Sequence, residues 1–235
     1  MRMRQGQRVQ AMASAATQER GQAVPQGASQ TSPSGESEKR RQILEGARQV
    51  FMASGFDGAS MGEIAKAANV SKGTLYVYFD SKEALFEALT TEAKAGLAEN
   101  LFRLDEDDPD VRAVLTRLGT SYLAMMARPE HVSIIRMVMG ACEKFPRFGQ
   151  AFYEAGPACG VGRLKAYLDA QVAAGRLRAD DTDLAAKHFL QLCQAGMLTR
   201  LLFNAGAAPD EAEIGHRVAQ AVRVFYAGYG PSAAG

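Results

Sequence analysis

Acid–base chemistry in this sequence would fall to Asp181, Asp183, His188 and His216, with the acidic stretch over residues 105–110. General acid–base catalysis needs such groups gathered into one constellation, and their order along the chain defines none. His188 sits in a largely apolar stretch, the setting of a core or interface histidine rather than of a base. Cys142, Cys159 and Cys193 are odd in number, widely spaced and without the close Cys or His companions that zinc requires. They read as buried, reduced thiols. A redox-sensing pair stays open, because spacing alone does not say which two meet. No catalytic residue, metal or cofactor is expected.

Residues 71–82 offer a different chemistry. If Leu75 and Phe79, one turn apart, define the buried face of a helix, then Gly73, Thr74, Tyr76 and Val77 project away from it. That is an odd face to leave in water, since a mid-helix glycine costs about 1 kcal/mol relative to alanine and neither Tyr76 nor Val77 carries charge. A DNA major groove accounts for each choice. Gly73 lets the backbone come close, Thr74 and Tyr76 bring hydroxyls to base edges, and the Tyr76 ring or the Val77 methyls pack on thymine methyls. Ser71, Lys72 and the amides at the helix start favour phosphate, and Tyr78 and Lys82 would grip another near the far end.

The elements that must hold this face are legible on either side of it. Residues 1–37, rich in Gln, Ala, Ser, Gly and Pro, show no sustained apolar period and are expected to be a disordered arm. Its arginines outnumber its acids, which leaves open a weak attraction to phosphate or an inert leader. From residue 38 the pattern changes: Ile43, Ala47, Val50 and Phe51 recur with the period of an amphipathic helix. Gly55 and Gly58 then interrupt it. Ser60 and Glu63 have capping-box spacing, so a second helix starts there, with Ile64, Ala65 and Ala68 as its buried stripe. Asn69 and Val70 break it, Ser71 caps the third helix, and residues 80–83 cap a fourth. The domain expected over 38–86 therefore has a helix-turn-helix at about 60–79.

The run MGEIAKAANVSKGTLYVYFDSKEALF over residues 61–86 resembles the signature of the tetracycline-repressor (TetR) family. The likeness is strongest over 38–86. It implies an all-helical homodimer that binds double-stranded operator DNA, with two recognition helices entering successive major grooves. Carried over by motif, the DNA contacts become Ser60, Ser71, Lys72, Gly73, Thr74, Tyr76, Tyr78 and Lys82, while Val77 falls where the family varies and would help select the operator. Residues 143–157, EKFPRFGQAFYEAGP, resemble a C-terminal domain type found in part of that family.

The expected fold class is thus all-α, an N-terminal three-helix DNA-binding domain followed by a larger helical ligand-binding and dimerisation domain over 87–230. Breaks near residues 128–129, 145–146, 175, 180–181 and 208–209 predict about five helices beyond residue 109. An apolar or amphipathic ligand is expected among Met125, Met126, Met137, Met139, Phe145, Phe148 and Phe152, although ordinary core packing explains any one of them equally well. Residues 184–203 are apolar nearly all round, and Ile214, Val218, Val222 and Phe225 follow a helical period. These two helices predict a four-helix dimer interface through Phe189, Met197, Leu201, Val218, Val222 and Phe225.

Composition bounds the rest. The formal net charge is only +1, so DNA binding must come from local geometry rather than from overall charge. No apolar run approaches the ~20 residues of a membrane helix, no signal-type segment follows the first arginines, and the chain is expected to stay in the cytoplasm. Two rival classes remain: an enzyme, and a helical adaptor whose Gly73–Tyr76 face binds protein. Binding that weakens as salt rises separates DNA from a mainly apolar protein partner.

Overall fold

The computed structural model describes residues 33–231, apart from the side chains of 33–35 and 92–100. Eleven α-helices and one π-helical turn follow one another, with no strand among the described residues. The first, α1 (Pro33–Gly58), begins four residues before the end of the expected arm. Proline at a helix start has its φ already set, and Glu36 in the first turn suits the helix dipole. The arm's Arg2, Arg4, Arg8 and Arg20 lie outside the described residues.

Gly55 bends the end of α1 sharply, with φ 68° and ψ 179°. Two short helices follow, α2 (Met61–Ala67) and α3 (Lys72–Tyr78), then the long α4 (Lys82–Leu101). The capping box is formed: Glu63 N donates to Ser60 Oγ at 3.2 Å and Ser60 N donates to Glu63 Oε2 at 3.0 Å. Ser71 Oγ accepts from Thr74 N at 3.0 Å, and Ser81 Oγ from Ala84 N at 3.1 Å. Between α2 and α3 the chain turns through Asn69 at φ 51°.

One residue that fixes this unit has no motif around it. Gly46 on α1 lies so close to the end of α2 that a Cβ there would sit 2.5 Å from the backbone nitrogen of Ala68. Beside it, Gln42 Nε2 donates to the Ala68 carbonyl at 2.6 Å. The two contacts set the angle at which α2, and therefore α3, leaves α1.

The remaining helices are α5 (Val111–Met126), α6 (Pro129–Cys142), α7 (Pro146–Tyr153), the π turn (Glu154–Ala158), α8 (Cys159–Ala173), α9 (Thr182–Gln194), α10 (Met197–Leu202) and α11 (Glu211–Tyr229). Each break expected from Pro, Gly and Asp is present. Two further divisions were not expected, and the first is the π turn that separates α7 from α8. Second, residues 184–203 are two helices rather than one, because Ala195 (φ 34°) and Gly196 (φ 80°) are both left-handed and turn the chain. The turn sends Met197 and Leu201 back into the core, so the all-round apolar pattern comes from two short helices with different buried faces.

Two cores result. The C-terminal core is built from α5, α8, α9, α10 and α11 around Leu115, Leu123, Phe189 and Phe225. Phe189, Met197, Leu201, Val218, Val222 and Phe225, expected at a dimer interface, are all buried inside this core within a single protomer. A side chain with no exposed surface has none to offer a partner. The outward sides of α9 and α11 carry Leu184, His188, Val224 and Gly228 instead.

The N-terminal core holds Ile43, Phe51, Ile64, Leu75 and Phe86, and it does not end at residue 86. Ile134, Val138 and Ala141 of α6 and Phe148 of α7 belong to it. Phe148 is fully buried, its ring centroid 5.2 Å from that of Phe56 and 4.6 Å from that of Phe86. Burying one such ring is worth about 1.5–3 kcal/mol, so the N-terminal helical unit is welded to α6 and α7 rather than tethered to them.

Candidate nucleic-acid interface and effector cavity

On α3 only Leu75 is buried. Phe79, which ends the helix, completes the inward face, with the Arg40 guanidinium 5.0 Å above its ring. Tyr76 is 50% exposed and Val77 82%, so both side chains point out as expected. Thr74 Oγ1 lies 2.8 Å from Ser71 Oγ, which positions both hydroxyls at the start of the helix. Lys72 lies across Gly62, where a Cβ would be 3.0 Å from Lys72 Cε. Its aliphatic stem covers the first turn of α2 and carries the ammonium to the same side as Ser60.

Gly73 is informative because nothing in the protomer requires it. A Cβ at this position would meet only Ser71 Oγ, at 3.7 Å, an ordinary contact. The fold has room for a side chain, and glycine's helix penalty is left without an internal reason. An outside surface that must approach the backbone supplies one.

Lys82 departs from expectation. Its Nζ donates to the carbonyls of Phe56 at 2.7 Å and Ala59 at 2.9 Å and sits 4.5 Å over the Phe56 ring. Three attractions hold the ammonium against the chain between α1 and α2, where Gly55 has left carbonyls without helical partners. In this conformation Lys82 is a structural cap. Tyr78 is half-buried against the N-terminal core, leaving part of its surface on the α3 side.

The second feature is a cavity of about 340 Å³ lined by residues of α5, α6, α7 with its π turn, α8, α9 and α10, together with Leu101 and Phe102 at the end of α4. Of the residues expected to line it, the structure brings Met125, Met126 and Phe152 together there. The other four go elsewhere. Phe145 and Phe148 pack on Phe56, centroids 5.0 and 5.2 Å away; Met137 packs on the N-terminal core; Met139 is 58% exposed. On α6 the helix phase turns His131 and Ile135 to the cavity and Met137 away from it. On α7 position along the helix decides: Phe148 is buried in the N-terminal core, and Phe152, one turn later, packs on that core and reaches the cavity.

Residues with no sequence signal complete the cavity, among them Phe102, Tyr122, His131, Ile135, Gln191, Gln194 and Lys187. Gln194 Nε2 donates to the hydroxyl of Tyr122, and burial pushes the Tyr122 phenol up to about 12, so it stays protonated at neutral pH. Lys187 is ion-paired with Asp183 one turn earlier. Pro157 in the π turn and Phe152 just before it contribute to one wall. A π turn is a single-residue widening of the helix and is enriched at functional sites.

Asp181 and His188, considered for acid–base chemistry, have structural occupations. Asp181 caps α9, accepting from Leu184 N at 2.9 Å, and His188 Nδ1 lies 2.6 Å from the Tyr229 hydroxyl. All three cysteines are free thiols. Cys193 is buried, which pushes its pKa up to about 12; Cys142 and Cys159 are only half-buried, contrary to expectation. Among the described residues no helix is long and apolar enough to cross a membrane.

Comparison with known proteins bears on both features. Residues 43–89 match the family described as bacterial regulatory proteins, tetR family, and residues 113–231 match the AefR-like transcriptional repressor C-terminal domain. The chain is 28% identical over 168 residues to the HTH-type transcriptional repressor Rv1474c of Mycobacterium tuberculosis, covering 69% of this chain and 82% of that protein. Among solved structures it resembles the flavonoid-responsive regulator FrrA, with a TM-score of 0.70 and 31% identity over 84% of this chain and 100% of that one. A TetR family transcriptional regulator from Pseudomonas syringae superposes with a TM-score of 0.68 at 26% identity, covering 82% of this chain and 97% of the other.

Proposed function

We propose that this chain, which belongs to the TetR family of bacterial transcriptional regulators, represses transcription as a homodimer on operator DNA and is released when a small molecule enters the α5–α9 cavity. In this reading Gly73, Tyr76 and Val77 read base edges, and Ser60, Ser71, Lys72, Thr74 and Tyr78 position the helix on phosphates. The dimer forms through the outward sides of α9 and α11, where Leu184, Leu192 and Val224 keep apolar surface. Residues 38–86 are the DNA-reading part and 87–230 the effector and dimerisation part, with α6 and α7 shared between their cores. The regulator works in the cytoplasm, where its operator is.

One observation carries the release step. His131 and Ile135 of α6 and Phe152 of α7 line the cavity. Ile134 and Val138 on a neighbouring face of α6, and Phe148 one turn before Phe152 on α7, are packed in the core that holds α1 and α4, against which Phe152 also packs. A ligand that shifts either helix must shift that core or open a gap in it. Close-packed interiors transmit such displacements instead of absorbing them. The ligand need only favour a conformation in which the two recognition helices no longer match the groove spacing, and about 1–3 kcal/mol of coupling suffices for partial release.

The test is to recover bound genomic fragments with the purified protein, define the operator, and then screen small molecules by loss of operator binding. Linkage requires that a short operator duplex weaken binding of the releasing compound by the same factor by which the compound weakens the operator. Equal affinity with and without the duplex, measured by calorimetry, would show a bound molecule that is no inducer. A protein that sediments as a monomer at micromolar concentration would remove the paired half-sites.

A further inference from the structure

The polar groups of the cavity are few, and their states limit what can occupy it. Among the described residues Lys187 is the cavity's one lysine or arginine, and it is paired with Asp183. A ligand carboxylate would therefore meet mostly apolar walls on which that ammonium is already paired, a costly setting for a buried charge. The walls otherwise consist of aromatic, aliphatic and methionine side chains, with one neutral polar pole at Tyr122, Gln191 and Gln194.

That pole has a defined handedness of hydrogen bonding. Gln194 gives a proton of its amide nitrogen to the Tyr122 oxygen, which leaves the Tyr122 O–H to donate and the Gln194 Oε1 to accept. A hydroxyl both accepts and donates, so a single ligand hydroxyl satisfies the pair. The raised Tyr122 pKa keeps the donor in place across the physiological range. The volume of about 340 Å³ lies at the lower end for small-molecule sites. It is bounded by Phe102, whose ring stands where a Cβ at Gly160 would be 2.9 Å away.

We propose that the effector is an uncharged, largely apolar molecule whose hydroxyl is held between Tyr122 and Gln194. This rests on the reading of the cavity as the effector site. It identifies the ligand by chemical class and excludes acids, including fatty and aromatic carboxylates, as effectors at this site.

Three probes of one shape separate the claims: 4-phenylphenol, biphenyl and biphenyl-4-carboxylate, titrated calorimetrically into the full-length protein near pH 7.5. The phenol is expected to bind at least about tenfold more tightly than the carboxylate, and Gln194→Leu to remove about tenfold from the phenol while leaving biphenyl nearly unchanged. Should Gln194→Leu fail to fold, Tyr122→Phe removes the donor with little change of volume and is read the same way. Carboxylate binding as tight as the phenol overturns the exclusion of acids, with the effector site intact. Phenol affinity untouched by both variants overturns the hydroxyl pole. If none of the three probes binds, the effector reading of the cavity itself fails. Gly160→Ala, which pushes on Phe102, is expected to weaken all three together; no change would place binding outside this cavity.

Discussion

Gly73, Tyr76 and Val77 of the recognition helix face away from a core completed behind them by Leu75 and Phe79, whereas Tyr122, Met126 and Gln194 face inward, toward volume their own core leaves unfilled. In the first region the functional atoms do no packing, so chemistry and stability are separable residue by residue. In the second they share walls with the core, so a change that alters binding also alters packing. Between the two lie α6 and α7, which serve both regions at once and belong fully to neither.

The largest effect expected from breaking this contrast is at Phe148. Truncation to alanine removes a fully buried ring packed on Phe56 and Phe86, a loss of about 3–5 kcal/mol for such sites. Urea unfolding should show one transition moved to lower denaturant, because the ring joins the DNA-reading helices to α7. Two separate transitions, with the C-terminal one unmoved, would show that the two regions are independent after all.

Gly73→Glu and Tyr76→Ala sharpen the contrast from the other side. Tyr76 is half-exposed and Gly73 has room for a side chain. Tyr76→Ala should therefore leave unfolding stability within about 0.5 kcal/mol of wild type, and Gly73→Glu should match it or gain up to about 1 kcal/mol as glycine's helix penalty is relieved. Operator affinity should fall by roughly 100-fold, the order of one or two lost base contacts and a blocked approach. A variant that kept full operator affinity would move the reading face elsewhere on the molecule.

Sequence reasoning succeeded where function is local and failed where it depends on packing. The Ser60–Glu63 box, the Ser71 cap and the outward Tyr76–Val77 pair follow from spacing within a single turn or two. Residue type placed Phe145, Phe148 and Met137 around an apolar ligand, with core packing an equal alternative, but it does not say whether the cavity or the N-terminal core receives them. A helix that is apolar on two sides leaves that choice to tertiary contacts. The dimer residues were misplaced for the same reason: Phe189 and Phe225 were read as apolar enough to need a partner, and they are each other's partner, 5.5 Å apart. Gly46 carried no signal because its constraint comes from Ala68, 22 residues away, and Tyr122 and Gln194 meet across 72.

Lys82 tests whether a motif residue can belong to the inner rather than the outer class. Its ammonium serves two backbone carbonyls and the Phe56 ring, so Lys82→Ala should cost about 2 kcal/mol of stability. The salt dependence of operator binding should keep its wild-type slope. A slope lower by about one phosphate's worth, with stability unchanged, would return Lys82 to the DNA face.

The smallest effect is expected at an ion pair that spans the two regions. Lys144, in the connection between α6 and α7, donates from Nζ to Asp57 Oδ1 at 2.9 Å, both side chains being largely exposed. The hydrogen bond from Lys144 holds the Asp57 carboxyl below its ordinary value of 3.8. A carboxyl depressed in the folded state stabilises the fold above its unfolded pKa and ceases to do so as pH falls through the folded one. The contribution should thus be present at pH 7 and fade below about pH 4, and solvent and salt screening keep it small. Lys144→Ala should therefore melt slightly below wild type at pH 7 in low salt and together with it at pH 3. A gap that persisted at pH 3, or in 1 M salt, would assign Lys144 a packing role through its position 5.4 Å over the Phe145 ring, making the seam between the two regions apolar throughout.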